Sequence, residues 1–163
     1  MIHILPHLEY SIDSAKSPED IIAILNSITV PREVVLCDSS DTEFTGEVNP
    51  SGFKIVREVA GRIYLKNDFK PVILGTIRAE RERTVIDIKM RLRLDVQIFL
   101  AIWFGGVGIG TLAGLLAILT EGINGASMLF GAAAFFAFGQ ALARIGFYFP
   151  AKNTIRRLEE LLK

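Results

Sequence analysis

Two long stretches of the sequence contain almost no charge, and they constrain the fold more than any other feature. The 24 residues from Val96 to Leu119 have no charged side chain, and the 22 from Met128 to Phe149 have one, Arg144. A helix that crosses a bilayer needs about 20 predominantly apolar residues. The alternative is a pair of core helices in a soluble protein, but a chain of 163 residues is too short to cover two helices that are apolar on every side. The sequence therefore predicts a transmembrane helical hairpin over residues 96–149.

The charges that flank this hairpin predict its orientation. The connection Thr120–Ser127 contains one Glu and no Lys or Arg. Because cytoplasmic flanks are enriched in Lys and Arg, we expect a multi-pass protein of the cell inner membrane (plasma membrane) with both termini in the cytoplasm. No Asp, Glu, Lys or His lies in the middle of either span, which argues against a transporter. The basic residues on the outer flanks of the two helices are Lys89, Arg91, Arg93, Lys152, Arg156 and Arg157.

Charge density separates the hairpin from the rest of the chain. Residues 1–95 carry 13 Lys or Arg and 15 Asp or Glu, whereas residues 96–163 carry 5 and 3. The first part therefore has the composition of a soluble domain, which we expect to be cytoplasmic. Neither part is basic enough to indicate a nucleic-acid partner. The predicted organisation is a soluble domain over 1–95, a transmembrane hairpin over 96–149 (spans 96–119 and 128–149) and a C-terminal tail over 150–163.

One helix is predicted within the soluble domain. Ser17 and Pro18 are followed by two acidic residues and then by a run of apolar ones. A serine at the cap, a proline at the first helical position and acids in the first turn are typical of a helix start. The helix is expected to run to about Ser27.

The rest of the soluble domain is predicted to form β-strands. From residue 42 onward apolar residues alternate with polar ones, most clearly over Thr84–Leu92, and this period indicates half-buried antiparallel strands. Pro6 favours an edge position for a strand over residues 3–11. The predicted fold class is therefore α+β: an antiparallel β-rich domain of five or six strands in meander order, with one N-terminal helix, followed by the hairpin.

The C-terminal tail is expected to form a short amphipathic helix. Ile155, Leu158 and Leu162 fall on one helical face, and Asn153 is a residue type that favours the N-cap. Such a helix either lies on the membrane surface or packs under the soluble domain. The sequence leaves both placements open.

Small residues recur at four-residue spacing in both predicted spans, so each set shares one helix face. Small side chains let helix backbones approach closely in lipid. We therefore expect these residues to mediate helix packing, either within the hairpin or between protomers of a homo-oligomer. They are Gly106, Gly110 and Gly114 in the first span and Ala133, Ala137 and Ala141 in the second.

Residue types that carry catalysis or bind metals are few and poorly spaced. His3 and His7 are the only histidines, and in an extended segment they lie about 13 Å apart, too far to share a metal ion. The acidic run Cys37–Glu43, with Asp38 and Asp41, does not match the twelve-residue calcium loop. A cysteine nucleophile would need a histidine base. We therefore expect no catalytic, metal-binding or cofactor-binding residue and no enzymatic activity.

Basic residues on or between the predicted strands form a candidate binding face in the soluble domain. The anionic headgroups of a cytoplasmic leaflet attract a basic surface. The alternative interpretation is ordinary solvated strand faces, because Glu58 and Asp68 dilute the positive charge. The candidate residues are Lys54, Arg57, Arg62 and Lys66, which with Lys70, Arg91 and Arg93 would form a basic surface near the bilayer.

Four segments carry a resemblance to a family. They read Phe44-x-Gly46-x-Val48, Gly52-Phe53-Lys54-Ile55, Phe69-x-Pro71-Val72-Ile73-x-Gly75-x-Ile77 and Thr84-x-Ile86-x-Ile88. Over about residues 42–105 this pattern resembles a family of uncharacterised bacterial membrane proteins. The resemblance implies a β-rich soluble domain followed by a hairpin of two spans, and it implies no activity.

Together these features favour a non-enzymatic membrane protein. Its β-rich domain would bind a protein partner or the lipid headgroup surface beside the packed hairpin. A second hypothesis is a ligand-gated homo-oligomeric effector, in which the β-rich domain senses a small molecule and the glycines mediate assembly in the membrane. The expected partners are therefore membrane lipid, a protein or a second copy of the chain, and nucleic acid is not among them.

Overall fold

The computed structural model describes residues 5–31, 43–57, 69–81, 83–122 and 126–163. The chain divides into two compact units, which we call the sheet unit (Met1–Arg93 with Phe147–Lys163) and the helical unit (Leu94–Gly146). The elements in chain order are β1 (His7–Ser14), α1 (Pro18–Ile28), β2 (Thr29–Val30), β3 (Phe44–Asn49), β4 (Gly52–Arg57), β5 (Pro71–Glu80), β6 (Arg83–Leu92), α2 (Leu94–Glu121) and α3 (Ala126–Leu162).

A six-stranded sheet is the centre of the sheet unit, with strand order β1-β6-β5-β4-β3-β2. The strands β3 to β6 are consecutive antiparallel neighbours, and β1 pairs antiparallel with β6. In the described part of the sheet, only the two-residue β2 runs parallel to its neighbour, β3. The predicted α+β class is confirmed, and β1 lies at an edge as Pro6 indicates. The meander prediction holds for β3 to β6, whereas β1 closes onto the distant β6, a pairing that local alternation does not reveal.

The helix α1 begins as its sequence predicts. The backbone N–H of Asp20 donates to the hydroxyl of Ser17 over 3.1 Å, and a proline occupies the first turn, where its missing N–H removes no helical hydrogen bond. The helix covers Pro18–Ile28. Ile21 and Leu25 are fully buried, and α1 contacts β2, β3 and β5. Its apolar side therefore packs on the sheet.

The two faces of the sheet differ in burial. On β6 the alternate residues from Thr84 to Leu92 are buried, whereas the residues between them are half-buried or exposed. The strand register extends this pattern, since buried Ile86 lies beside buried Ile12 on one side and Ile77 on the other. We call the buried side the covered face and the other side the open face. The alternation predicted from the sequence for this strand is confirmed.

The helix α3 is one continuous element of 37 residues that includes Pro150. The predicted short C-terminal helix is therefore not a separate element, and its residues form the last turns of α3. A proline inside a helix costs about 3 kcal/mol or more, so packing of the turns that follow must offset it. These turns bury one side in the sheet unit, which favours packing under the soluble domain over a membrane-surface placement. The buried residues are Phe147, Ala151, Thr154, Leu158 and Leu162.

The helical unit consists of α2 and the first part of α3. Both helices are long and apolar enough to cross a membrane, with mean hydropathy of 2.0 and 1.6 over their most apolar windows. Only 6% and 11% of the residues in those windows are buried. A core helix of a soluble protein is mostly buried, so this exposure agrees with helices that face lipid.

Candidate binding surface and the anchored end of α3

Basic and aliphatic side chains lie together on the open face, where β4, β5 and β6 run side by side. The register places Arg91 beside Val72, and in the next row Leu74 lies between Lys89 and Lys54. The three basic side chains are exposed and the two aliphatic ones are half-buried. We call Lys54, Lys89 and Arg91 the basic patch. The cations of the patch can attract anionic headgroups, and the aliphatic side chains between them add apolar contact area.

The charges at the other end of the open face neutralise one another. Asp87 accepts a hydrogen bond from the hydroxyl of Ser11 over 2.7 Å and forms an ion pair with Arg78. These three residues lie on β1, β5 and β6, toward the β5–β6 turn. This end therefore presents paired charges and no excess of one sign.

The basic patch is less completely neutralised. Lys89 pairs with Glu9 at 3.1 Å, but the two side chains are 66% and 65% exposed, so the pair contributes roughly 0–1 kcal/mol. Among the described residues, Lys54 and Arg91 form no ion pair with a carboxylate. The patch therefore keeps a net positive charge on a solvent-accessible surface.

The residues predicted as a binding face do not share one surface. Lys54 lies on the open face, whereas Arg57 lies at the end of β4 with its side chain on the covered face, among contacts with α3. Positions 54 and 57 differ by an odd number, so a β-strand places them on opposite sides. Lys89 and Arg91 of β6 share the open face with Lys54, whereas Arg57 does not. The alternation of these two cations with buried residues along β6 is the sequence signal for their position. The other predicted residues, Arg62 and Lys66, lie outside the described residues.

Glu43 links the sheet to the last turns of α3. Its carboxylate accepts a hydrogen bond from Nη2 of Arg57 over 2.9 Å, and its two oxygens share a bifurcated one from Nε of Arg157, each at 3.0 Å. Arg57 also donates from Nη1 to the backbone carbonyl of Asn153 over 3.0 Å. The hydrogen bonds with Glu43 and the charge of its carboxylate raise the pKa of Arg157 above its usual value. β3, β4 and α3 are therefore joined by charge-assisted hydrogen bonds.

A second polar contact lies nearer the end of α3. The hydroxyl of Tyr10 donates to Oε1 of Glu159 over 2.6 Å, and Nζ of Lys163 donates to the same oxygen over 2.8 Å. The hydrogen bond from Lys163, followed by that from Tyr10, holds the pKa of Glu159 below its usual value. The same contact with Glu159 raises the pKa of Tyr10. Glu159 therefore holds the end of α3 on β1 as a carboxylate.

Two donors from the sheet unit reach the last carbonyls of α3. The hydroxyl of Ser14 donates to the carbonyl of Leu162, and Nζ of Lys16 donates to that of Leu161 over 3.0 Å. The last four carbonyls of a helix lack an intrahelical partner, so these bonds satisfy groups that would otherwise need water. The end of α3 is thus held on the sheet by its buried apolar side chains and by polar contacts with β1, β3, β4 and Lys16.

Trp103 of α2 packs against α3 in the helical unit. Its ring lies 5.7 Å from that of Phe135 and 6.5 Å from that of Phe138, and its Nε1 donates to the carbonyl of Phe135 over 3.3 Å. A Cβ at Gly139 would lie 2.7 Å from the same nitrogen. Gly139 therefore makes room for the indole. Sequence analysis missed this pair, because a single tryptophan and a single glycine form no repeat.

The predicted glycine row divides between two environments. Gly114 is buried, and a Cβ there would lie 3.0 Å from the side chain of Leu129. A Cβ at Gly110 would be 4.0 Å from Ala132, and one at Gly106 would have no atom within 4 Å. Gly114 therefore packs within the hairpin, whereas Gly106 faces open space in the single chain. The predicted alanine row is exposed in the single chain at all three positions, Ala133, Ala137 and Ala141.

An open apolar groove runs between α2 and α3 beside these glycines. Its volume is about 420 Å³, and glycines contribute much of its lining. Glycines lack side chains that would fill the space between the helices. Its lining residues are Trp103, Gly106, Val107, Gly110, Met128, Gly131, Ala132 and Phe135.

The residues considered for metal binding or catalysis fall into two groups. His3, Cys37, Asp38 and Asp41 lie outside the described residues. Glu43 is engaged by two arginines, and His7 lies on the edge strand β1. Within the ranges that the structure describes, no three His, Cys, Asp or Glu side chains converge in a way that could hold a metal ion.

Comparison of the chain with protein-family models, with curated proteins and with solved structures gives no match.

Proposed function

We propose that this chain is a two-span membrane protein whose sheet unit is a non-enzymatic binding module for a protein partner or for the lipid headgroup surface. The observation that carries the proposal is the difference between the two faces of the sheet. The chain's own helices pack on the covered face, whereas the open face presents exposed cations around half-buried aliphatic residues. Exposed cations beside apolar contact area are suited to binding an anionic surface.

The segments that form the sheet unit support a topology with both termini on one side of the membrane. This unit contains both the segment before α2 and the end of α3, which supports a chain that returns to the side of the membrane from which it left. Two spans allow this return. The Lys and Arg residues that flank the spans support a cytoplasmic location for both termini, in the inner (plasma) membrane of a cell.

The proposed function is tested by capturing the occupant of the open face. A photoreactive amino acid at Thr76, which is exposed on β5, is expected to give a covalent adduct when the full chain is illuminated in the membrane of the cell that produces it. The intact mass of the product distinguishes a lipid adduct from a protein adduct. The matched control is the same amino acid at Glu19, an exposed residue of α1. Illumination that yields no adduct at position 76, or equal adducts at both positions, would contradict the proposal.

The open groove in the helical unit favours a second candidate function, a homo-oligomeric membrane effector whose sheet unit senses a small ligand. Glycine surfaces that a single chain leaves open allow the close approach of another helix in lipid. Gly106 and Gly131 each have space for a side chain with no atom within 4 Å. Assembly through this groove would bury that surface.

The two environments of the glycine row provide a sharp test of this second candidate. Gly106→Leu is expected to convert an oligomer to monomers without unfolding the hairpin, because position 106 faces open space. Gly114→Leu is the matched comparison: it overpacks the contact with Leu129 and destabilises the hairpin itself by about 1–3 kcal/mol. Native mass spectrometry from mild detergent measures both outcomes. An oligomer that persists in the Gly106→Leu variant excludes assembly through this groove.

A further inference from the structure

The basic patch lies close in sequence to the start of α2, and this limits the surfaces that it can contact. Arg91 lies three residues before Leu94, the first residue of α2, so an extended backbone keeps it within roughly 10 Å of the start of that helix. Lys89 lies one row further away, and Lys54 is two strands from Lys89 across Leu74, a separation of about 10 Å. If α2 spans the membrane, the patch lies within reach of the headgroup layer.

The two strand rows that contain Arg91 and Lys89 carry more positive than negative charge on the open face. Their three cations are Lys54, Lys89 and Arg91. Their two acids lie at the lateral margins, Glu9 on β1 and Glu47 on β3.

We propose that the basic patch binds the phosphate-bearing headgroups of anionic lipids in the membrane that the chain itself spans. The proposal rests on the proposed function and names the occupant of its open face. Headgroups fit better than an acidic protein because the chain holds the patch beside a layer in which anionic phosphates are concentrated. Exposed Lys54, Lys89 and Arg91 supply the charge, and the half-buried aliphatic strip of Val72 and Leu74 supplies apolar contact at the interface.

The experiment measures lysine reactivity in the full chain reconstituted in nanodiscs. One set of discs contains phosphatidylcholine alone, and the other contains equal amounts of phosphatidylcholine and phosphatidylglycerol. Acylation of Lys54 and Lys89, followed by peptide mass spectrometry, is expected to be about fivefold slower in the anionic discs, the factor that corresponds to one cation engaged at an anionic surface. Lys16 and Lys163 are internal controls whose rates are expected not to change, because they contact the end of α3.

Charge-neutralised variants then assign the effect to the patch. Retention of phosphatidylglycerol by the detergent-extracted protein, measured by native mass spectrometry, is expected to fall at least tenfold when all three residues of the patch are changed to Gln. The matched control is Arg78→Gln with Arg81→Gln and Arg83→Gln, which removes three positive charges from the other end of β5 and β6. Equal losses of lipid in the two triple variants would overturn the proposal.

The remaining outcomes separate this inference from the proposed function. Equal acylation rates in the two kinds of disc overturn headgroup binding. If a poly-glutamate peptide then protects Lys54 and Lys89 in both kinds of disc, the occupant is an acidic protein, and the proposed function stands with a different partner. If the peptide gives no protection and the photoreactive residue at Thr76 captures nothing, the open face is not a binding surface and both proposals fail.

Discussion

Replacing Leu158 by alanine is expected to lower the free energy of unfolding of the sheet unit by about 2–5 kcal/mol. Leu158 is fully buried in the last turns of α3, so the change removes apolar contacts and leaves a cavity between this helix and the sheet. Native domains are stable by only about 5–15 kcal/mol, so the loss is a large fraction of the total. Urea unfolding in mild detergent, followed by pulse proteolysis of the sheet unit, measures the change.

The control for Leu158→Ala lies on the same helix. Lys152 is exposed, and Lys152→Ala is expected to change the free energy of unfolding by less than about 0.5 kcal/mol. A difference between the two variants shows that docking of the last turns, rather than helix propensity, is responsible. Equal stabilities would mean that the end of α3 does not belong to the core of the sheet unit.

A second large loss of stability is expected when Gly75 in β5 is replaced, because a neighbouring side chain occupies the space where its Cβ would lie. Phe53 is the cross-strand neighbour of Gly75, and a Cβ at position 75 would lie 2.1 Å from the Phe53 ring. Gly75→Ala must therefore displace a buried aromatic ring. We expect a loss of about 1–3 kcal/mol from overpacking, although alanine in place of a strand glycine ordinarily stabilises by roughly 0.5–1 kcal/mol. The same urea and proteolysis assay shows whether Gly75→Ala lowers or raises the free energy of unfolding.

A double-mutant cycle isolates this contact. Phe53→Ala alone is expected to cost about 3–5 kcal/mol, but it also empties the space that a methyl group at position 75 needs. The double variant should therefore lose less than the sum of the two single variants, by about 0.5–3 kcal/mol. Additive losses would show that the ring does not occupy the space above Gly75.

The parts of the fold that depend on neighbouring residues could be predicted from the sequence. Ser17 and the proline after it mark the start of α1 because a helix cap is a local hydrogen bond. The alternation over Thr84–Leu92 predicts β6 because a strand turns successive side chains to opposite faces. The charge-free stretches predict α2 and most of α3 because the hydrocarbon core sets the length of a spanning helix.

The features that sequence analysis missed depend on contacts between distant residues. Pro150 is a local signal for the end of a helix, yet α3 continues because Leu158 and Leu162 gain burial on a sheet that local rules do not contain. The candidate binding face was assembled from charge without regard to side-chain parity, so it combined Lys54 with Arg57. The contact between Trp103 and Gly139 joins two helices and has no periodic pattern. Each of these features depends on tertiary packing, which local sequence propensities do not contain.

The return of α3 to the sheet unit has a consequence for biosynthesis. The sheet begins with β1, but its compact unit also contains residues 147–163, which form the last part of α3 and are translated after α2 and the apolar part of α3. A ribosome makes the chain from the N-terminus, so all six strands are synthesised before Leu158 and Leu162, which are buried in the same unit. If both helices span a membrane, as we propose, Leu158 and Leu162 can join the sheet unit only after the second helix has crossed the bilayer. Under the proposed topology, completion of the sheet unit would therefore depend on membrane insertion of the same molecule.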